Sequence, residues 1–298
     1  MTMTLLRRKR AMRWLGGLFV LVIFGLYILF PVTMAVVAVF PHKDSVGAPP
    51  PGFEEVALEA SDGVALAGWY APPTNGAAII LVHGAGNSRE SVRSYAEMLV
   101  DHGYGVLALD LRGHGESEGL SNRLGWQGTR DIEAAAAYLQ AQPGVERIGG
   151  LGLSMGGEVL LGASADVPAM QAVVADGATR RSTEELTALP SERSLVRSFT
   201  ARVMYATVEI LTGQEPPDPP LLDAMQAATG TQYLLIAGGS NALEVKFNEL
   251  FAETLGTRAA LWVAPDASHT GAFSRYPDEY EARVIAFFDG ALLGEVVS

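Results

Sequence analysis

The residues with the most chemical content are Gly152-Leu153-Ser154-Met155-Gly156, with Gly157 next. A serine on a tight strand-to-helix turn needs small neighbours, because the backbone doubles back there and lifts the hydroxyl clear of the sheet. With a base in reach, such a hydroxyl attacks a carbonyl carbon. A helix starting at Met155 would also aim its N–H groups and positive end at the negative charge that then develops. The G-x-S-x-G pattern alone is weakly specific. Its place between an apolar run, RIGGLGL, and a helical stretch over 158–165 gives it weight.

A base for this serine is expected in APDASHTG, where His269 follows the last predicted strand and precedes the final helix. The loop His83-Gly84-Ala85-Gly86 also ends a buried strand. It can offer the Ala85 N–H to an oxyanion, with the Met155 N–H as second donor. His83 itself reads as a structural residue of that loop. The turn from Asp110 through Arg112 and His114 to Gly115 reads the same way, its acid and arginine pinning a strand end.

These residues need a frame, and the hydropathy pattern supplies one. FEEVALEASDGVALAGWYAPP alternates with period two on both sides of Asp62-Gly63, a hairpin signal. AAIILVHGAG, GVLALDLRGHG, the RIGGLGL run, 172–175, QYLLIAGG and RAALWVAPD read as buried strands. Helical spacing fills the intervals at 91–102, 129–140, 158–165, 243–255 and 280–292. Strands alternating with helices predict an α/β fold with a mostly parallel central sheet flanked by helices. The alternation fails at 179–229, where Leu195, Phe199, Val203 and Val208 are spaced helically and four prolines follow. That stretch is expected to be a helical cap inserted over the strand ends.

Residues from about Phe53 to Leu292 resemble the α/β-hydrolase fold enzymes, the broad group of esterases, lipases, thioesterases and serine aminopeptidases. LVHGAG, DLRGHGESEG, GLSMGG and the His269 loop carry the resemblance, in that order. It implies a serine triad in the chain order Ser, acid, His, and a cap between the sixth and seventh strands. In one respect the chain departs from the pattern. The family usually has an aspartate shortly after the seventh strand, as G-x-x-D; here the row is Gly238-Gly239-Ser240-Asn241. A neutral amide stabilises an imidazolium poorly. Glu244, the nearest carboxylate, is taken as the acid, with Asp176 at the end of the preceding strand as the other candidate. Asp266 is too near His269 in sequence to orient it easily. The implied activity is hydrolysis of a carboxylic ester or related acyl bond. A peptidase, amidase or acyltransferase on the same residues is an alternative, as is a tethered binding protein without activity. No metal or organic cofactor is implied.

The remaining readings concern the N-terminus and charge. The 298-residue chain has no cysteine, which excludes disulfides, thiolate metal sites and cysteine nucleophiles. Its net charge of −12 includes +5 from Arg7, Arg8, Lys9, Arg10 and Arg13, so the rest carries −17. So acidic a body repels phosphate backbones, and nucleic acid is not an expected partner. Residues 14–40 contain no charge, which is more than the roughly 20 apolar residues a membrane-spanning helix needs. A cleaved signal peptide would have a shorter apolar region ending in small residues. The expected organisation is a basic cytoplasmic N-terminus over 1–13, a single-span anchor over 14–40, a proline-rich linker over 41–52 and a hydrolase domain over 53–298. The excess of cations before the span places the catalytic domain outside the cytoplasm. A small or lipid-like acyl compound is the expected substrate.

Overall fold

The computed structural model describes residues 2–40, 43, 45–119, 122 and 124–294. The linker expected over 41–52 lies partly outside them, at positions 41, 42 and 44, as does the end of the domain at 295–298.

An eight-stranded sheet forms the centre: β1 (Glu54–Glu59), β2 (Ala65–Ala71), β3 (Ala77–Val82), β4 (Gly105–Leu109), β5 (Arg147–Leu153), β6 (Met170–Asp176), β7 (Gln232–Gly238) and β8 (Ala259–Ala264). Their spatial order is β1-β2-β4-β3-β5-β6-β7-β8. β1 and β2 form the hairpin read around Asp62-Gly63, and β2 also runs antiparallel to β4. All the remaining pairs are parallel. The parallel strands are buried on both faces, so they read as continuous apolar runs. β3 shows this: Ala78, Ile80 and Val82 enter one core, while Ala77, Ile79 and Leu81 enter the other.

Along the chain the helices are α1, the N-terminal helix (Thr2–Phe24, continuing through the wide turn Gly25–Leu29 into Phe30–Val39), α2 (Arg93–Asp101), α3 (Gly128–Gln140) and α4 (Met155–Ala163). After β6 come α5 (Thr183–Ala188), α6 (Leu195–Thr212) and α7 (Leu221–Ala227), and after β7 come α8 (Ala242–Leu255), α9 (Ala272–Arg275) and α10 (Pro277–Phe288). α3, α4 and α8 supply one core, α2 and α10 the other. Across Arg10–Val39 the first helix is long and apolar enough to cross a membrane, with a mean hydropathy of 2.6 over its 18-residue apolar window.

The architectural turns hold by buried ion pairs. Asp110 accepts from the Arg89 backbone and guanidinium and from the Glu116 N–H. Arg112 pairs with Asp131 and Asp62. The His83 Nε2 accepts from the Leu111 N–H at 3.2 Å, tying the loop after β3 to the end of β4.

Candidate active site

The carboxyl ends of β3, β5, β6, β7 and β8 lie side by side, and the chemistry-bearing residues gather there. Ser154 ends β5 and opens α4. Its φ of 51° and ψ of −116° are strained for a residue with a side chain, at a cost of about 1–3 kcal/mol. The neighbours make the strain bearable. A Cβ on Gly156 would come within 2.6 Å of the Val82 and His83 carbonyl oxygens, and one on Gly152 would overlap the Gly156 carbonyl. The Ser154 N–H donates to the Asp176 carbonyl at 2.7 Å, which fixes the corner to β6.

His269 sits on the loop after β8, flanked by two more left-handed residues, Asp266 at φ 55° and Thr270 at φ 51°. Gly239 and Ser240 donate to the Ala264 and Ala267 carbonyls, so the ends of β7 and β8 hold this loop. The His269 Nε2 lies 2.8 Å from the Ser154 Oγ. Its Nδ1 lies 2.6 Å from the Glu244 Oε2. A carboxylate at Nδ1 keeps the proton there, leaving the Nε2 lone pair to accept from the serine hydroxyl. That hydrogen bond raises the His269 pKa above the ordinary histidine value, against the opposing effect of burial.

Glu244 is fully buried and held by three donors. Besides His269, the Gly238 N–H donates to its Oε1 at 2.6 Å and the Asn241 Nδ2 to its Oε2 at 3.2 Å. Asn241 is the N-cap of α8, its Oδ1 accepting from the Glu244 N–H at 3.3 Å. The amide in the expected acid slot thus orients the carboxylate three residues later. Sequence reasoning missed this role for Asn241. The signal was present in the cap spacing Asn-x-x-Glu, which places residue 244 in the first turn of a helix.

Asp176, the other candidate acid, ends β6 fully buried, its carboxyl interacting with the Tyr280 side chain. Burial, then the Glu244 charge, pushes its pKa up to about 7. The structure does not bring it to the His269 ring nitrogens; Glu244 stands there instead.

Ala85 lies with Gly84, Asn87, Tyr95, Ser154 and His269 around an open cleft of about 450 Å³. Met155 is the first residue of α4, where a backbone N–H has no partner inside the helix. Among the described residues no group of three His, Asp or Glu is placed to hold a metal ion. The arrangement places the His269 Nε2 to accept a proton from the Ser154 hydroxyl.

Over residues 79–283 the sequence matches the alpha/beta hydrolase family. Uncharacterized protein Rv2307c of Mycobacterium tuberculosis is 32% identical over 123 residues, covering 40% of this chain and 43% of that protein. The chain therefore spans less than half the length of that relative. Uncharacterized protein YfhR of Escherichia coli O157:H7 is 25% identical over 296 residues, covering 90% of this chain and 94% of its own. Among solved structures, the Pyrococcus furiosus esterase Pf2001 superposes with a TM-score of 0.70 at 26% identity, over 86% of this chain and 98% of its own.

Proposed function

This chain belongs to the alpha/beta hydrolase family, and we propose that it is a membrane-anchored serine hydrolase cleaving a carboxylic ester through an acyl-enzyme. The relay from Ser154 through His269 to Glu244, with contacts of 2.8 and 2.6 Å, carries the reading. The Ser154 Oγ bonds to the acyl carbon as its proton passes to the His269 Nε2. The Ala85 and Met155 N–H groups hold the oxyanion, and the imidazolium is stabilised by Glu244. The ester C–O bond then breaks, and His269 returns the proton to the leaving alcohol. Water repeats the sequence on the acyl-enzyme and releases the acid. The solved esterase of similar fold supports the ester as substrate class.

The N-terminal helix supports a single-pass location, and the five cations ahead of its charge-free run support a cytoplasmic N-terminus with an extracytoplasmic hydrolase body. That location, rather than any feature of the cleft, supports a lipid-derived acyl group.

Fluorophosphonate labelling together with ester turnover tests the nucleophile and base. Ser154→Ala should abolish labelling, and Ser154→Ala or His269→Ala should each slow hydrolysis by several orders of magnitude. The double variant should be little slower than either, since such residues act as a unit. Near-native turnover by Ser154→Ala would remove the serine mechanism.

A further inference from the structure

Helix α6 leaves an apolar face uncovered. Its inner side is buried, with Tyr205 and Val208 packed beside Trp126 and Ala35 of the N-terminal helix. On the outer side Leu195, Val196 and Ile210 are 71, 74 and 82% exposed. At about 100° per residue, Leu195, Phe199, Ile210, Val203 and Val196 fall on one arc. Arg202 and Glu209 border that arc on one side and Arg197 on the other, so no charge interrupts it. Such a face in water is a standing cost and marks an interaction surface.

The N-terminal helix runs beside this face. The Phe199 and Tyr27 rings lie 6.1 Å apart. A groove of about 620 Å³ opens between Val20, Ile23, Phe24 and Tyr27 on one wall and Leu195 and Phe199 on the other. That volume is within the range of about 300–1,000 Å³ typical of ligand sites, and no charged residue lines the groove. The chain after the helix is fastened to the body. Lys43 donates to the Ser117 carbonyl at 2.9 Å, the Gly47 N–H to Glu90 at 3.1 Å, and Arg93 to the Ala48 carbonyl at 2.8 Å.

Position along the anchor then sets the depth of the groove. The charge-free run begins at Trp14, and a hydrocarbon core of about 30 Å takes up roughly 20 residues of helix. Val20 to Tyr27 therefore lies inside the hydrocarbon, and a ring 6.1 Å from Tyr27 shares that depth. Arg197, outside the arc, is paired with Glu192 at 3.7 Å, which offsets its charge.

We infer that α6 is a lipid-binding element whose groove with the anchor takes an acyl chain of the adjoining leaflet, seating the insert in the bilayer. The inference rests on the anchor reading and is independent of the triad. The absence of cysteine makes any introduced cysteine a unique labelling site. The full chain, reconstituted in phosphatidylcholine–phosphatidylglycerol vesicles, would carry a bimane label through Val196→Cys, Leu21→Cys or Glu146→Cys. Spin-labelled acyl chains should remove most of the emission from the first two labels while aqueous iodide barely changes it. The Glu146→Cys label should respond to iodide alone. Iodide quenching of the Val196→Cys label, with the Leu21→Cys label still quenched by lipid, overturns the α6 inference and leaves the anchor standing. Indifference of the Val196→Cys label to both quenchers also overturns it, by showing protein, such as a second copy, on that face. Failure of lipid to quench the Leu21→Cys label overturns the anchor reading and this inference with it.

Discussion

Two strand-to-helix turns, separated by β6, deliver opposite ends of the same hydrogen-bonded chain from Ser154 through His269 to Glu244 by different means. After β5 the reactive group sits on the corner itself: Ser154 takes the strained conformation, and the glycines beside it leave no room for a Cβ. After β7 the reactive group sits one turn inside the helix. Glu244 reaches back to the strand end, where the Gly238 N–H and the Asn241 amide hold its carboxylate. A corner dictates residue types at fixed spacing, so it is stereotyped. A capped helix needs only some carboxylate whose arm ends at the right point, so its donor can slide along the chain. The first turn restricts Gly152 and Gly156 to glycine, whereas the second asks only where the carboxylate ends.

The largest effect that sharpens this contrast is expected from Glu244→Gln. Without the carboxylate the imidazolium lacks its counter-charge and the wrong tautomer is favoured, which costs about four decades in kcat. The pH profile adds a signature. His269 must be neutral to accept the proton, and Glu244 raises its pKa, so the acidic limb of wild-type activity should lie above the ordinary histidine value. In Glu244→Gln that limb should move to lower pH, because the larger of the raising contributions is gone. A small rate loss with an unmoved limb would sink the assignment. Adding Asn241→Asp to Glu244→Gln should recover activity if the second turn is as adaptable as the comparison implies.

A smaller effect is expected from Asn241→Ala. The variant loses the donor to Glu244 and the cap of α8, while Gly238 and His269 continue to hold the carboxylate. A hydrogen bond to a charged group is worth about 1.5–3 kcal/mol, and a cap about 1 kcal/mol. Turnover should therefore fall roughly tenfold and the protein should melt several degrees lower. Full activity with unchanged melting would show that Asn241 only occupies the turn.

The same contrast explains what the sequence made legible. The strand order of events, the hairpin, the elbow serine and the histidine loop all follow from local sterics and apolar runs of the right length. Glu244 emerged only by elimination, because its placement depends on a cap geometry that Asn241 signals weakly. Helix starts were less legible where a strained corner intervenes: α4 begins at Met155 although its helical spacing becomes visible only from 158. The packing of α6 on the anchor was not legible at all. Apolar residues at helical spacing look alike whether a core, a neighbouring helix or lipid will cover them, and Trp126, which stacks on Tyr205, comes from a loop with no signal of its own.

Asp176→Asn is expected to have the smallest effect on rate and to separate the two acids. The carboxyl at 176 is buried beside the Tyr280 side chain, and Glu244 already occupies the His269 Nδ1. Catalysis should therefore survive within a small factor, and a dead variant would move the acid to β6. Its stability should respond more than its rate. With a folded pKa of about 7 against roughly 3.9 unfolded, the native state holds a proton that the unfolded chain releases between those values. Stability contributed by this group is present below about pH 4 and is lost as pH rises to 7, on the order of a few kcal/mol. Asparagine has no such dependence. The melting temperature of Asp176→Asn relative to wild type should accordingly rise by several degrees between pH 5 and pH 7.5. A difference that stays constant over that interval would mean the carboxyl titrates normally in the folded protein.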